Sequence, residues 1–191
     1  MSDAIVGHDG LARCPWAESS DEMRVYHDTE WGRSVRDERG LFERLTLEAF
    51  QSGLSWAIVL RKRPRFREVF ADFDPEVVAA YDGARVAELL DDAGIIRNRT
   101  KVEATIANAA AVRALEGGFA DLVWSFAPPA RPRPASVADV PAVTPESKAL
   151  AASLKRHGFV FVGPTTAYAL MQATGMVDDH LAGCHVRTEP V

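Results

Sequence analysis

Leu154-Lys155-Arg156-His157-Gly158-Phe159-Val160-Phe161-Val162-Gly163-Pro164-Thr165 reads as a tight turn between two helices. Gly158 and Gly163 bracket the turn, and Pro164 suits the first position of a new helix. Upstream, Thr144 can cap a helix that Pro145 opens and that runs to about Arg156. Downstream, residues 164–174 (PTTAYALMQAT) form its partner. Such a turn leaves backbone N–H groups free beside a helix N-terminus, which is a sequence-independent phosphate site. Lys155 and Arg156 stand next to it. The same spacing also serves an ordinary connection between helices, so the turn alone assigns no role.

The remaining chain carries the same helical period. Residues 38–51 place Leu41, Leu45, Leu47 and Phe50 near helical spacing. Residues 54–71 continue it, and Pro64 is expected to divide that stretch into two helices. Asp74-Pro75 opens another helix. Residues 84–93 follow, closed by Gly94, and the alanine-rich run 99–115 stops at Gly117-Gly118. Residues 119–126 form a short helix. Residues 127–146, with six prolines, read as a surface loop. No convincing alternating strand is visible, so the expected class is all-α.

At 191 residues with 47% hydrophobic content, the chain can bury one core or two packed lobes. No run approaches the roughly 20 apolar residues of a membrane helix. Residues 1–13 hold Asp3, His8 and Asp9 and do not read as a secretory signal, so a cytoplasmic protein is expected. The net charge of −5 argues mildly against nucleic acid, but distribution matters more than the sum. Basic residues cluster at 61–67, 97–101 and 155–157. Solvated helix ends would look the same.

Two groups of residues carry chemistry. Cys14, His27, His180 and Cys184 supply two thiolates and two imidazoles, a set suited to tetrahedral zinc. His180 and Cys184 are four apart, so one helical turn would align them. Four protein ligands close the shell, making the role structural. On spacing alone, two core cysteines with unrelated histidines are the better fit. The second group is Trp16, Tyr26, Trp31, Glu48 and Trp56. Aromatic faces with one carboxylate suit a flipped, cationic purine: indole stacks on the ring, cation–π attraction favours the charged base, and the carboxylate accepts from an exocyclic amine. A surface glutamate with core tryptophans is the plainer alternative.

These signals occur together in a known family. Eight stretches appear in its order: R-C-x-W (13–16), Y-H-D-x-E-W-G (26–32), L-E-x-x-Q-x-G-L-S-W (47–56), D-A-G-I-I-R-N-R-x-K (92–101), D-L-V-W-S-F (121–126), S-K-A-L (147–150), R-x-G-F-x-F-V-G (156–163) and M-Q-A-x-G-x-V-x-D-H-x-x-G-C (171–184). From Arg13 to Cys184 the chain resembles the 3-methyladenine DNA glycosylase I family. The resemblance implies an all-α helix-hairpin-helix DNA glycosylase fold. It implies a single glycosylase domain of two packed helical lobes at 13–186, between tails at 1–12 and 187–191. It implies a structural zinc on Cys14, His27, His180 and Cys184 that joins the N- and C-terminal segments. Glu48 matches the carboxylate that contacts the alkylated base and is the expected catalytic residue. Trp16, Tyr26 and Trp56 match the other base-binding side chains. Gly53 and Leu54 match a loop that enters the DNA. The hairpin, with Lys155, Arg156, Gly158, Gly163 and Thr165, matches the phosphate-gripping element. Met23 departs from the family pattern where some members carry another pocket aromatic, and Phe50 replaces a residue polar in some members.

The implied activity is monofunctional hydrolysis of the N-glycosidic bond of 3-methyladenine in double-stranded alkylated DNA, by a monomer. Alkylation makes the base cationic, so it leaves as a neutral molecule and no carboxylate pair is required. Asp178 and Asp179 are expected to support His180 rather than activate water. The alternatives are a non-catalytic zinc-containing DNA-binding module and a zinc hydrolase with an open metal position.

Overall fold

Helix α2 (Glu38–Gln51) is the centre of the structure, a computed structural model that describes residues 2–188. The outer parts of the two expected tails, residue 1 and residues 189–191, lie outside the described residues. Asp37 caps α2 by accepting from the Gly40 amide. Leu41, Phe42, Leu45, Leu47 and Phe50 are all buried, around most of the helix circumference. A helix buried on nearly every side must have partners on every side. They are α3 (Trp56–Val69), α6 (Arg99–Ala114), α7 (Phe119–Trp124) and α9 (Pro164–Ala173). Phe50 meets Phe66 edge-on at 4.6 Å between centroids. Each such buried ring contributes roughly 1.5–3 kcal/mol by leaving water. Phe50 therefore belongs to the core, whatever stands there in relatives.

The remaining helices are α1 (Asp21–Thr29), α4 (Pro75–Val78), α5 (Gly83–Asp91) and α8 (Pro145–Arg156). Helix α1 was not expected. Ser20 caps it, but only Met23, Tyr26 and His27 of its nine residues are buried, too few for a clear period. Three further expectations need correction. Pro64 does not split residues 56–69, which form one helix. Its ring is exposed, while Val59, Leu60, Phe66 and Val69 are buried on either side of it, so tertiary packing keeps the two halves aligned. A two-residue pairing exists after all: β1 (Ile5–Val6) lies antiparallel to β2 (Ala12–Arg13). Finally, the proline-rich segment is more than a surface loop. Arg131 and Arg133 bind Asp179 and Asp178, each at 2.7 Å, and strap the segment to the C-terminal stretch.

Helices α8 and α9 pack on one another across the turn at 157–163. Thr144 and Ser147 exchange the hydrogen bonds of a capping box at the start of α8. Gly158 closes α8 at φ 87°. Asn108 of α6 grips the turn twice, accepting from the Val160 amide at 2.8 Å and donating to its carbonyl at 3.1 Å.

Candidate active site and metal centre

Two backbone segments meet where the N-terminal and C-terminal stretches cross. Gly175 takes φ 72°, and a Cβ there would stand 2.7 Å from the Gly32 carbonyl oxygen. Gly32, at φ 76°, lets His180 approach: a Cβ would lie 3.0 Å from the imidazole Nε2. Neither position tolerates a side chain without displacing backbone or an imidazole.

This crossing brings together Cys14, His27, His180 and Cys184, all buried, with their ligand atoms within 4.8 Å of one another. His27 Nε2 lies 3.2 Å from His180 Nδ1 and 3.5 Å from Cys184 Sγ. Cys14 Sγ is 4.0 Å from His180 Nδ1. Residues 177–188 contain no helix, so the expected helical turn at 180–184 is absent. A tight turn, with the Cys184 amide bonded to the Leu181 carbonyl at 2.8 Å, aligns the two side chains instead. Both imidazoles have their other nitrogen committed. His27 Nδ1 donates to Asp28 Oδ1 at 2.7 Å, and His180 Nε2 donates to the Trp31 carbonyl at 3.2 Å. Carboxylates and carbonyls only accept, so both inward-facing nitrogens of the neutral rings present lone pairs. Two lone pairs at 3.2 Å, with thiols beside them, repel each other unless a cation stands between. Within the thiol pair, the hydrogen bond shared by the two sulfurs raises Cys14 and lowers Cys184, which the imidazoles lower further. The donor set suits a metal ion.

Asp28 is itself clamped. Arg13, 2% exposed, donates to it through Nε at 2.9 Å and Nη2 at 2.8 Å, and bonds Asp9 with both Nη atoms. Asp28 and Arg13 were missed as support for the cluster, although both sit inside the quoted motifs. Asp178 and Asp179 do not touch the His180 ring. Asp178 accepts from the His180 amide at 3.2 Å. Asp179 accepts from Tyr168 at 2.6 Å, Gln172 at 2.8 Å and Arg131 at 2.7 Å.

A cavity of about 360 Å³ abuts the cluster and shares Cys14 with it. Trp16, Tyr26, Glu48 and Trp56 all line it, so the structure brings the four expected residues together. Tyr26 and Trp56 have ring centroids 5.2 Å apart, and Trp16 and Tyr26 6.4 Å. Met23 lines the same wall, and Trp31 joins it while holding His180. Gln51, Gln172 and Asp179 also face the cavity and had not been expected. Val137 and Val140 of the proline-rich strap close another side. Neither valine lies in a recognisable motif, so only tertiary placement reveals them.

Glu48 is buried and accepts no hydrogen bond among the described residues. Burial pushes its carboxyl up to about 8, against the pull of Arg44 one turn earlier on α2. The side chain is therefore largely neutral at pH 7 and ready to ionise beside a positive charge. Burial likewise raises the Tyr26 phenol, with the Glu48 charge adding to it.

Gly53 and Leu54 lie between Gln51 and Trp56, two residues of the cavity wall. Gly53 turns at φ 81°, and Leu54 is 40% exposed. Lys155, Arg156 and Gly158 are exposed at the end of α8, Gly163 is the N-cap of α9, and Thr165 is exposed in its first turn. Ala169 and Gln172, further along α9, line the cavity. Helix α9 thus runs from the turn to the cavity wall over about 9 Å, taking six residues at the usual helical rise.

The chain matches a family profile described as methyladenine glycosylase over residues 16–188. It is 44% identical, over 92% of its own length and 98% of the relative's, to a DNA-3-methyladenine glycosylase from Haemophilus influenzae. A solved 3-methyladenine DNA glycosylase I superimposes with a TM-score of 0.87 at 47% identity, covering 91% of this chain and 98% of the other. A second, a Tyr-to-Phe variant of 3-methyladenine DNA glycosylase I in complex with 3-methyladenine, gives a TM-score of 0.88 at 29% identity, covering 94% and 99%. By sequence and by fold alike, the chain belongs to the methyladenine glycosylase family.

Proposed function

We propose that the chain excises 3-methyladenine from alkylated duplex DNA by hydrolysing the N-glycosidic bond. The observation that carries this is Glu48: a buried carboxyl without a protein partner, in a cavity walled by Trp16, Tyr26 and Trp56. An apolar cavity disfavours a lone carboxylate but stabilises one paired with a cation. N3-alkylated adenine is such a cation, flat enough to stack and carrying an exocyclic amine to donate. Unmodified adenine brings no charge, leaves Glu48 neutral and gains less. Glu48 is in that sense the catalytic residue: it touches the charged base and orients it for departure as a neutral molecule.

On cleavage the C1′–N9 electron pair moves into the purine ring and cancels its charge. Water bonds to C1′ and loses its second proton to solvent. The protein supplies extrusion, orientation and recognition. Leu54, presented by the Gly53 turn, wedges into the gap left by the base. The free amides at the start of α9, around Gly163 and Thr165, take a backbone phosphate, and Lys155 and Arg156 add charge. In this reading α8 and α9 form a helix-hairpin-helix element. Residues 13–186 act as one unit, and a monomer suffices because cavity, wedge and hairpin lie in one chain.

Cys14, His27, His180 and Cys184 would hold one zinc ion. Two thiolates and two imidazoles would fill all four of its positions, so the ion would tie the two chain segments together and leave the chemistry to the cavity. The test is base release from methylated duplex DNA. Wild type should free 3-methyladenine, with Glu48→Ala slower by at least about a hundredfold; equal rates, or none from wild type, reject the proposal.

A further inference from the structure

Phe161 lies in the turn between α8 and α9 with φ 59°, in the left-handed region that bulky residues avoid. Its ring is 39% exposed. Phe73 also has positive φ, but its ring is wholly buried and the core holds it there. No such packing accounts for Phe161. A glycine would fit the backbone better, so the choice of a partly exposed aromatic at this position calls for a reason.

One contact fixes its position. Lys101, at the start of α6, is buried and donates to the carbonyls of Phe50 at 2.8 Å and Ser52 at 2.6 Å. Its ammonium also stands 5.8 Å from the Phe161 ring centroid. The two carbonyls end α2 and lead directly into Gly53-Leu54. Lys101 therefore ties the segment leading into Leu54 and the Phe161 turn to one point, which brings together two segments that each bear an exposed apolar side chain.

The charge on the neighbouring segments is distinctive in an acidic chain. Arg61, Arg97 and Arg156 are exposed and have no hydrogen-bonded, ion-paired or stacked partner among the described residues. The other arginines all have one. Arg61 follows the Leu54 loop on α3, Arg97 lies four residues before Lys101, and Arg156 ends α8 beside the turn. Unpaired guanidinium groups on segments adjoining two exposed apolar side chains match a polyanion with stacked rings.

We infer that Phe161 is a second apolar contact to DNA, set beside Leu54 by Lys101 and flanked by Arg61, Arg97 and Arg156. It rests on the proposed function in taking the ligand to be DNA and Leu54 to be its wedge. Phe161 packs on an exposed sugar or base next to the step that Leu54 opens. Lys101 is a positioning residue and does not itself reach the nucleic acid.

The test uses the whole protein with Phe161→Ala, Phe161→Gly and Phe161→Leu. The readouts are binding to a duplex with an abasic-site analogue, by fluorescence anisotropy, and binding of free 3-methyladenine, by tryptophan fluorescence. Phe161→Ala and Phe161→Gly should weaken duplex binding by about tenfold and leave free-base binding within about twofold, as an effect at a stacking contact outside the cavity requires. Phe161→Gly should melt no lower than wild type, because it relieves the backbone. Phe161→Leu should recover most of the duplex affinity. Duplex binding unchanged in Phe161→Gly overturns the inference, and so does an equal loss of duplex and free-base binding. Because the duplex assay needs no cleavage, a wild type that released no base would sink the proposed function and still leave this result readable.

Discussion

The Asp28 carboxylate accepts the Nδ1 proton of His27 at 2.7 Å, and that single bond turns the ring's Nε2 toward the cysteine–histidine cluster. Arg13 holds Asp28 from behind, so the orientation is built from the chain's first turns. Asp28→Asn keeps the shape but weakens the acceptor and frees the tautomer. We expect zinc affinity, measured by competition with a chromophoric chelator, to fall about 10–100-fold with the helical signal retained. Wild-type affinity in the variant would show that His27 is not held through Asp28.

Glu48 makes stability depend on pH. Its carboxyl is raised from 4.5 to about 8 in the folded protein. Its contribution is fully present below about 4.5 and is lost as pH rises to about 8, where the buried group must ionise. Glu48→Gln removes that loss. The variant should gain on wild type by up to roughly 1.4 kcal/mol per pH unit across this window and level off above it. Urea unfolding at pH 5, 6.5 and 8 reads the effect; a constant difference at all three would mean that Glu48 is not desolvated.

Gly175 permits the two segments that carry the cluster to touch. Gly175→Ala adds a methyl group 2.7 Å from the Gly32 oxygen at a backbone angle alanine avoids. The cost should be at least about 2 kcal/mol, or about 4–8 °C in Tm for a chain of this length. Unchanged melting would place the crossing elsewhere.

Val140 limits the space beside the aromatic rings. Val140→Phe pushes a ring into a cavity of about 360 Å³ from the strap side. Calorimetry should record at least about a tenfold loss of 3-methyladenine affinity, since overpacking opposes a ligand as it opposes a core residue. Melting should fall only modestly, because Val140 lies outside the main core and packs on the smaller cluster of Cys14, Leu181, Cys184 and Val186. Full affinity in the variant would remove the strap from the binding wall.

Much of this was legible in the chain itself. Helices α2, α6, α8 and α9 announce themselves through period and caps, with Thr144-Pro145 the clearest start. The spacing of Cys14, His27, His180 and Cys184 left their grouping open, and the ordered motifs pointed to it. What escaped was tertiary. Asp28 is an ordinary acid until Arg13, fifteen residues earlier in the chain, reaches it. Pro64 breaks helices in isolation, yet here buried residues on both sides of it hold one helix. Val137 and Val140 sit among prolines, where nothing local foretells that they face tryptophans across a cavity. Lys101 looked like one more surface cation, and only its two backbone carbonyl partners reveal it as a tether.

Helix α9 has a consequence for how damage is found. It has the turn at 157–163 at one end and Ala169 and Gln172 on its flank at the cavity. In the proposed reading, a strand held at the turn would meet the opening at one offset, set by the distance along α9.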